Sequence, residues 1–220
     1  MTFDWAYLFT QWPALISGLW QTIQVSLLGI FFSTLIGIVG AGIRQLKIKP
    51  LVPIVVCYVE LIRNTPILVQ LFFIFYGLPS IGITLSLFWS GVLCLSVWAG
   101  AYQIENIRGG LVSVEKGMLE AASALNIKPF GYLRLIAIPI AFRSSLPSML
   151  NTSISLLKNS SYLQAVGFAE LTFVAVDRIA TDFRAIEMFT AIGAIYLGLV
   201  IVISIVVRQL EHRLQAPFRR

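Results

Sequence analysis

Between Ser144 and Ser161, eleven of eighteen residues are polar: Ser144, Ser145, Ser148, Asn151, Thr152, Ser153, Ser155, Lys158, Asn159, Ser160 and Ser161. They sit in a stretch otherwise long and apolar enough to cross a bilayer. Hydroxyls and amides at that density do not face hydrocarbon, because each unpaired polar group there costs several kcal/mol. The stretch must face protein or a wet cavity. Lys158 points to the cavity, since a charge deep in a span marks a solute path. The bland alternative is that the hydroxyls bond back to their own helix and Lys158 snorkels to the interface. The chemistry on offer is hydrogen bonding to a polar solute, with Ser155, Lys158, Asn159 and Ser160 as the candidate path residues.

Two other polar groups interrupt apolar runs. Asn64-Thr65-Pro66 breaks a second helix, because Pro removes a backbone donor and kinks the chain. Arg63 beside that break is either a lip of the cavity or a charge at the membrane interface. Glu105 and Arg108, three apart on one helix, can pair with each other or with Arg63. A structural ion pair and a substrate contact are both open for Glu105.

Other chemistries are excluded. His212 is the only histidine, so no histidine cluster holds a metal. Cys57 and Cys94 both lie in apolar runs and read as buried free thiols. No Gly-Lys dipeptide occurs, which removes a Walker A phosphate loop. No nucleophile–base constellation is present. If ATP drives this protein, another chain binds it and its Mg.

The elements that position these residues follow from composition. The 220 residues are 58% hydrophobic and 12% charged, with a net charge of +6. Such a chain has the bilayer as its solvent. A spanning helix needs about 20 mostly apolar residues. Five are expected in one all-α membrane domain covering residues 1–220: 15–43, 53–78, 85–108, 138–165 and 186–207. Gly29, Ser33, Gly37 and Ala41 form a stripe of small residues that lets a second helix come close.

Orientation is read from Lys and Arg. Arg44, Lys47, Lys49, Arg108, Lys116, Lys128, Arg134, Arg143, Arg208, Arg213, Arg219 and Arg220 all fall on one side of a five-span topology. Only Arg178 and Arg184 fall on the other, in a segment with Glu170, Asp177, Asp182 and Glu187. The positive-inside rule places the N-terminus outside and the C-terminus in the cytoplasm. The N-terminus has no basic region before Arg44, so a cleaved secretory signal is not expected.

One cytoplasmic segment differs from the rest: "KGMLEAASALNIKP", residues 116–129. Met118, Ala122 and Leu125 share a face of a short helix over 117–126. Asn126 suits a left-handed cap, and Pro129 prevents continuation. A small, capped, sparsely basic helix between two spans suits a pocket on a soluble partner better than the membrane surface.

From Glu120 the chain reads "EAASALNIKPFGYLRLIAIP", which resembles the EAA signature of permease subunits in ABC importers. Glu120, Ala121, Ala122, Ile136 and Pro139 match it. Asn126 stands where the signature has glycine, and Ile138 where it has leucine. "GLWQTIQVSLLGI", "ELIRNTPILVQLFFIFYGLP", "AYQIENIRGG" and "SISLLKNSSYLQAVGFAEL" are similar, in that order, to the polar-amino-acid branch of the family. The resemblance implies a type I importer permease in a bacterial inner membrane. In that family the segment is the coupling helix, with Gly117, Glu120, Ala121, Ala122 and Asn126 at the ATP-binding subunit.

The implied partners are that ABC subunit, a second permease chain, identical or paralogous, and an extracytoplasmic substrate-binding protein. No cofactor is expected in this chain and no nucleic acid. "LKNSS" is similar to glutamate/aspartate permeases, and a cavity holding Lys158 without a carboxylate attracts an acidic solute. An acidic or neutral amino acid is therefore the expected cargo, with glutamate or aspartate leading. A methionine-type permease is the near alternative. An ion-coupled carrier or channel is the distant one, and it would need intramembrane acids beyond Glu60 and Glu105.

Overall fold

The computed structural model describes residues 3–114 and 116–215, excepting the side chains of 116, 129, 208 and 210–215. Arg219 and Arg220 of the basic tail lie outside the described residues, as do the side chains of Lys116, Arg208, His212 and Arg213. No strand occurs among the described residues.

Helix α1 (Trp5–Gln45) starts at Asp4, whose carboxylate accepts the Tyr7 amide at 3.1 Å. At 1.5 Å per residue it is about 60 Å long, twice the hydrocarbon thickness. Trp5, Trp12 and Trp20 are all more than half exposed along it. Helix α4 (Leu87–Val112), capped by Ser86, is its main partner. The small-residue stripe makes the contact. A methyl on Gly29 would stand 3.2 Å from Leu95, and one on Gly37 only 2.5 Å from Gln103. Gly91 of α4 lies against Val25 of α1 in the same way. Residue numbers rise together along both helices, so α1 and α4 run parallel.

That direction has a consequence for the chain between them. Two parallel spans require residues 46–86 to return across the layer. They do so as a broken element: α2 (Val52–Arg63), then α3 (Ile67–Phe72), prolonged by a π turn (Phe73–Gly77) and a 3-10 turn (Leu78–Ile81). The two halves meet at a 110° bend. The expected kink is thus a complete break. Pro66 has no amide hydrogen and disfavours helical geometry at Thr65. The carbonyls left open are closed locally, as bilayer burial demands. Gln70 donates to the carbonyls of Ile62 and Thr65 at 2.8 and 3.1 Å, and Thr65 Oγ1 donates to that of Leu61 at 2.8 Å. Tyr58 ties α2 to α4 through a 2.5 Å bond to the Val97 carbonyl.

The polar helix is α7 (Ile138–Asn159), continuous with α6 (Pro129–Tyr132) and a π turn (Leu133–Ala137) before it and a 3-10 turn (Ser160–Val166) after it. It lies antiparallel to α4. Asn106 donates to Thr152 Oγ1 at 2.9 Å and to the Ser148 carbonyl at 3.2 Å, and Gln103 donates to the Met149 carbonyl at 3.2 Å. Between these spans lies α5 (Lys116–Ala124). The chain then forms α8 (Leu171–Asp182), ended by the left-handed Phe183, and α9 (Ala185–Gln215).

Among the described residues, four helices are long and apolar enough to cross a membrane, and the bent α2–α3 pair, taken as one span, gives a fifth. Cys94 is buried as expected, whereas Cys57 is exposed on α2, where its neighbours leave it uncovered.

Candidate functional site: a polar cavity and a capped surface helix

A cavity of about 380 Å³ lies between α4 and α7, lined by Trp98, Tyr102, Asn151, Thr152, Ser155 and Asn159. Its volume falls in the range of small-molecule sites. The α7 wall is a stripe of amides and hydroxyls repeating every three to four residues. The α4 wall is aromatic, with the Trp98 and Tyr102 rings 4.8 Å apart. Arg63, at the end of α2, holds its guanidinium 5.1 Å from the Tyr102 ring centre, a cation–π distance. Neutral hydrogen-bonding groups on one wall and an amphipathic surface on the other can hold a small zwitterion.

The candidate path residues separate into two groups. Ser155 and Asn159 line the cavity, and Arg63 stands over its aromatic wall. Lys158 is exposed and is not among the lining residues, because one step along a helix turns a side chain about 100° away from Asn159. Ser160 is fully buried and donates to the Leu157 carbonyl at 2.7 Å, so it belongs to the core. Asn64 is exposed and donates to the Glu60 carbonyl at 2.7 Å, closing the end of α2. Glu105 binds Arg44 of α1 and, at 2.6 Å, Arg108, so it is the hub of an ion triad joining α1 to α4. The alternative Arg63 pairing is replaced by the Tyr102 contact.

The back-bonding alternative holds for part of α7. Ser145, Ser148 and Ser153 donate to carbonyls three or four residues earlier, at 3.1, 2.8 and 3.0 Å. Of the remaining polar groups, Asn151, Thr152, Ser155 and Asn159 line the cavity. Trp98 and Tyr102 are absent from the sequence reading of the site. Their spacing of four residues, on the helix bearing Gln103 and Asn106, is the signal that marks them.

Helix α5 ends as its sequence demands. Asn126 has φ +55°, and the amides of Asn126 and Ile127 bond the carbonyls of Ser123 and Ala122 at 3.0 and 2.9 Å. This is the glycine-type helix stop with asparagine in the left-handed position. Gly117, Leu119, Glu120, Ala121, Leu125 and Asn126 are exposed. Ala122 is only 3% exposed, so its methyl faces the chain itself. The expected shared face of Met118, Ala122 and Leu125 is therefore split, with Leu125 74% exposed on the outside.

At the far end from α5, Glu170 is fully buried. It caps α8 by accepting the amides of Thr172 and Phe173 at 2.9 and 2.8 Å. Tyr196 of α9 donates to it at 2.9 Å, and Thr22 of α1 reaches both this carboxylate and the Leu171 amide. Three helices share one buried acid. Burial raises its pKa above the ordinary 4.5, against the amides and hydroxyls that lower it. Beyond it, Tyr7 donates to Asp182 at 2.7 Å, and Arg184 pairs with Asp4 at 3.6 Å and with Glu187 at 3.3 Å.

Residues 33–216 match the family described as "Binding-protein-dependent transport system inner membrane component". The chain is 33% identical to the glutamine transport system permease protein GlnP of Escherichia coli (strain K12), covering 98% of this chain and 99% of that one. It is 35% identical to the L-cystine transport system permease protein TcyB of Bacillus subtilis (strain 168), covering 92% and 87%. Among solved structures, one titled as an amino acid ABC transporter with histidines aligns with TM-score 0.91 and 34% identity, over 97% of this chain and all of that one. The MetNI methionine ABC transporter in its inward-facing form aligns with TM-score 0.77 at 20% identity over 93% of this chain and 98% of that one, a likeness of fold.

Glu170 makes stability depend on pH with a definite sign. Below pH 4.5 the carboxyl is protonated in both folded and unfolded chains, and its contribution is complete. As pH rises above that value the unfolded chain releases the proton first, so stability falls until the raised folded pKa is passed. The melting temperature of the purified protein should decline across this window. Glu170→Gln should flatten the decline. An equal slope in both proteins would remove Glu170 as its source.

Proposed function

The chain belongs to the family of binding-protein-dependent transport system inner membrane components and is a permease subunit of an amino-acid ABC importer; from that premise we propose that the α4–α7 cavity is the solute's passage and that α5 docks an ATP-binding subunit. The chain is a multi-pass protein of the inner membrane. It does no bond chemistry in this reading. ATP and Mg reside in the docked subunit, and a second permease chain, a copy or a paralogue, completes the path. An extracytoplasmic binding protein presents the solute at the end carrying α8. ATP-driven closure of the paired ATPases moves the α5 helices, and the bundle alternates between inward and outward access.

The observation that supports the solute is the neutral lining. None of the six lining residues carries a charge, and a buried charged side chain without a partner is costly. Amides and hydroxyls in a stripe match a neutral polar side chain, and glutamine is the proposed type. The glutamine-named relative, alike along nearly the whole length, agrees with this. The acidic cargo expected from the sequence relied on Lys158 inside the cavity, and Lys158 is outside. Arg63 over Tyr102 supports glutamate or aspartate as the second reading, because it is the cation beside the lining.

Orientation follows the lysine and arginine bias, with α5 cytoplasmic and α8 outside. In a Cys57→Ser background, which removes the exposed thiol, Asp177→Cys should react with an impermeant reagent in intact cells. Lys128→Cys should react only after lysis. The opposite pattern would invert the topology.

Docking is carried by the exposed face of α5. Ala121→Trp should lower ATP-driven uptake at least tenfold in proteoliposomes holding the full transporter, with the melting temperature of the permease unchanged. Ala122→Trp would test folding instead, since Ala122 faces inward. Full uptake by the Ala121 variant would take docking away from this face.

The solute is tested by competition with the binding protein held constant. Excess glutamine should block uptake, and arginine should not. Ser155→Leu should cut uptake while ATPase activity persists, and Lys158→Gln should leave it unchanged. If Lys158→Gln abolished uptake, or glutamate alone competed, the acidic reading would replace the neutral one.

A further inference from the structure

A second hollow lies on the opposite side of α4 from the polar cavity. Its volume is also about 380 Å³, and its walls include Thr34, Ile38 and Gly42 of α1, Ile107 and Leu111 of α4 and Phe142 of α7. Trp98 and Ile107 are nine residues apart, so they point to opposite faces of α4. Its polar lining residues are Thr34, Gln45 and Ser145, and the two hydroxyls are returned to the carbonyls of Ile30 and Phe142 on their own helices, at 2.8 and 3.1 Å. It sits at the α5 end of the bundle, where α1 stops and where the helical arms before and after α5 begin.

The chain next to this hollow is basic. Lining residue Leu46 is followed by Lys47, and lining residue Leu133 by Arg134, and both cations are exposed. Lys49 is exposed on the same turn as Lys47. An apolar slot between helices, with exposed lysine and arginine next to two of its lining residues at the end that the Lys and Arg bias assigns to the cytoplasmic surface, offers two chemically distinct halves. An acyl chain matches the slot, and an anionic phosphodiester matches the cations.

We propose that this hollow binds one anionic phospholipid per chain, with an acyl chain between α1, α4 and α7 and the headgroup at Lys47 and Arg134. The lipid stands between Ile107–Leu111, which leads into α5, and Leu133–Ile138, which leads out of it. It is therefore a wedge between the two arms that hold the docking helix. Bulk lipid would coat the same surface without charge preference or stoichiometry.

The experiment uses the full transporter purified with its ATP-binding subunit and inserted in nanodiscs of mixed phosphatidylglycerol and phosphatidylcholine. Native mass spectrometry after mild delipidation should retain phosphatidylglycerol at one per permease chain. Gly42→Phe fills the slot, and a side chain there starts in open space, with nothing within 4 Å of its first carbon. It should lower retention at least tenfold. Lys47→Gln with Arg134→Gln leaves the slot intact and changes only surface residues, so the fold does not limit it. That variant should retain both lipids equally. Retention of phosphatidylcholine equal to phosphatidylglycerol by the wild type, or undiminished phosphatidylglycerol in the charge variant, would overturn the proposal.

Discussion

The parallel contact between α1 and α4 governs the fold, and glycine makes it. Side chains at residues 29 and 37 would hold the helix axes apart, since their first carbons would already meet Leu95 and Gln103. In a bilayer the apolar side chain gains nothing by leaving lipid, so close backbone approach and dispersion supply the association. Once two consecutive long spans run in the same direction, the segment between them must recross the layer. This is why the Pro66 break occurs within a span and is closed by Gln70, rather than ending in a surface turn. A helix break in hydrocarbon is stable only when its freed carbonyls find donors.

The same economy explains the polar helix. Gln103 and Asn106 on α4 meet the backbone and Thr152 of α7, so two spans are joined by amides rather than by a charge. Several serines of α7 return their protons to their own helix. What remains unspent on one stripe is Asn151, Ser155 and Asn159, beside Thr152, which accepts from Asn106. A solute path needs groups that are held in place yet retain capacity to bond, and a stripe beside an amide-bonded seam supplies both. Glu105, the intramembrane acid that an ion-coupled carrier would need, is committed to Arg44 and Arg108.

Periodicity and composition make much of this legible before any coordinates. The small-residue stripe, the break at Asn64–Pro66, the capped α5 with Asn126 and the polar α7 are local patterns, and local patterns are written in sequence. The direction of a side chain within a helix is less legible. Lys158 and Asn159 are neighbours in sequence and 100° apart in space, and Ala122 turns inward beside outward Ala121 for the same reason. In the sequence Glu170 is one charge in an acidic outer segment. Its burial depends on Thr22 and Tyr196, which lie far from it in the chain and carry no signal by themselves. Trp98 and Tyr102 were legible by spacing, yet aromatic pairs on a membrane helix are common enough to pass as lipid-facing.

The proposed transmission of force rests on how α5 is mounted. It is a short rod whose far end is stopped by a left-handed residue, so it cannot lengthen into the following span. The chain before it is α4, pinned to α1 by the Glu105 triad and to α7 by Gln103 and Asn106. The chain after it is the π turn leading into α7, where Pro139 at the helix start fixes the entry. In the proposed docking, a push on α5 would reach the α4–α7 pair together, and that pair lines the polar cavity. The opposite ends of the bundle are held by Glu170 across α1, α8 and α9. Under that proposal, motion at one end with a buried polar knot at the other would be a rocking motion, opening the cavity to one side as it closes it to the other.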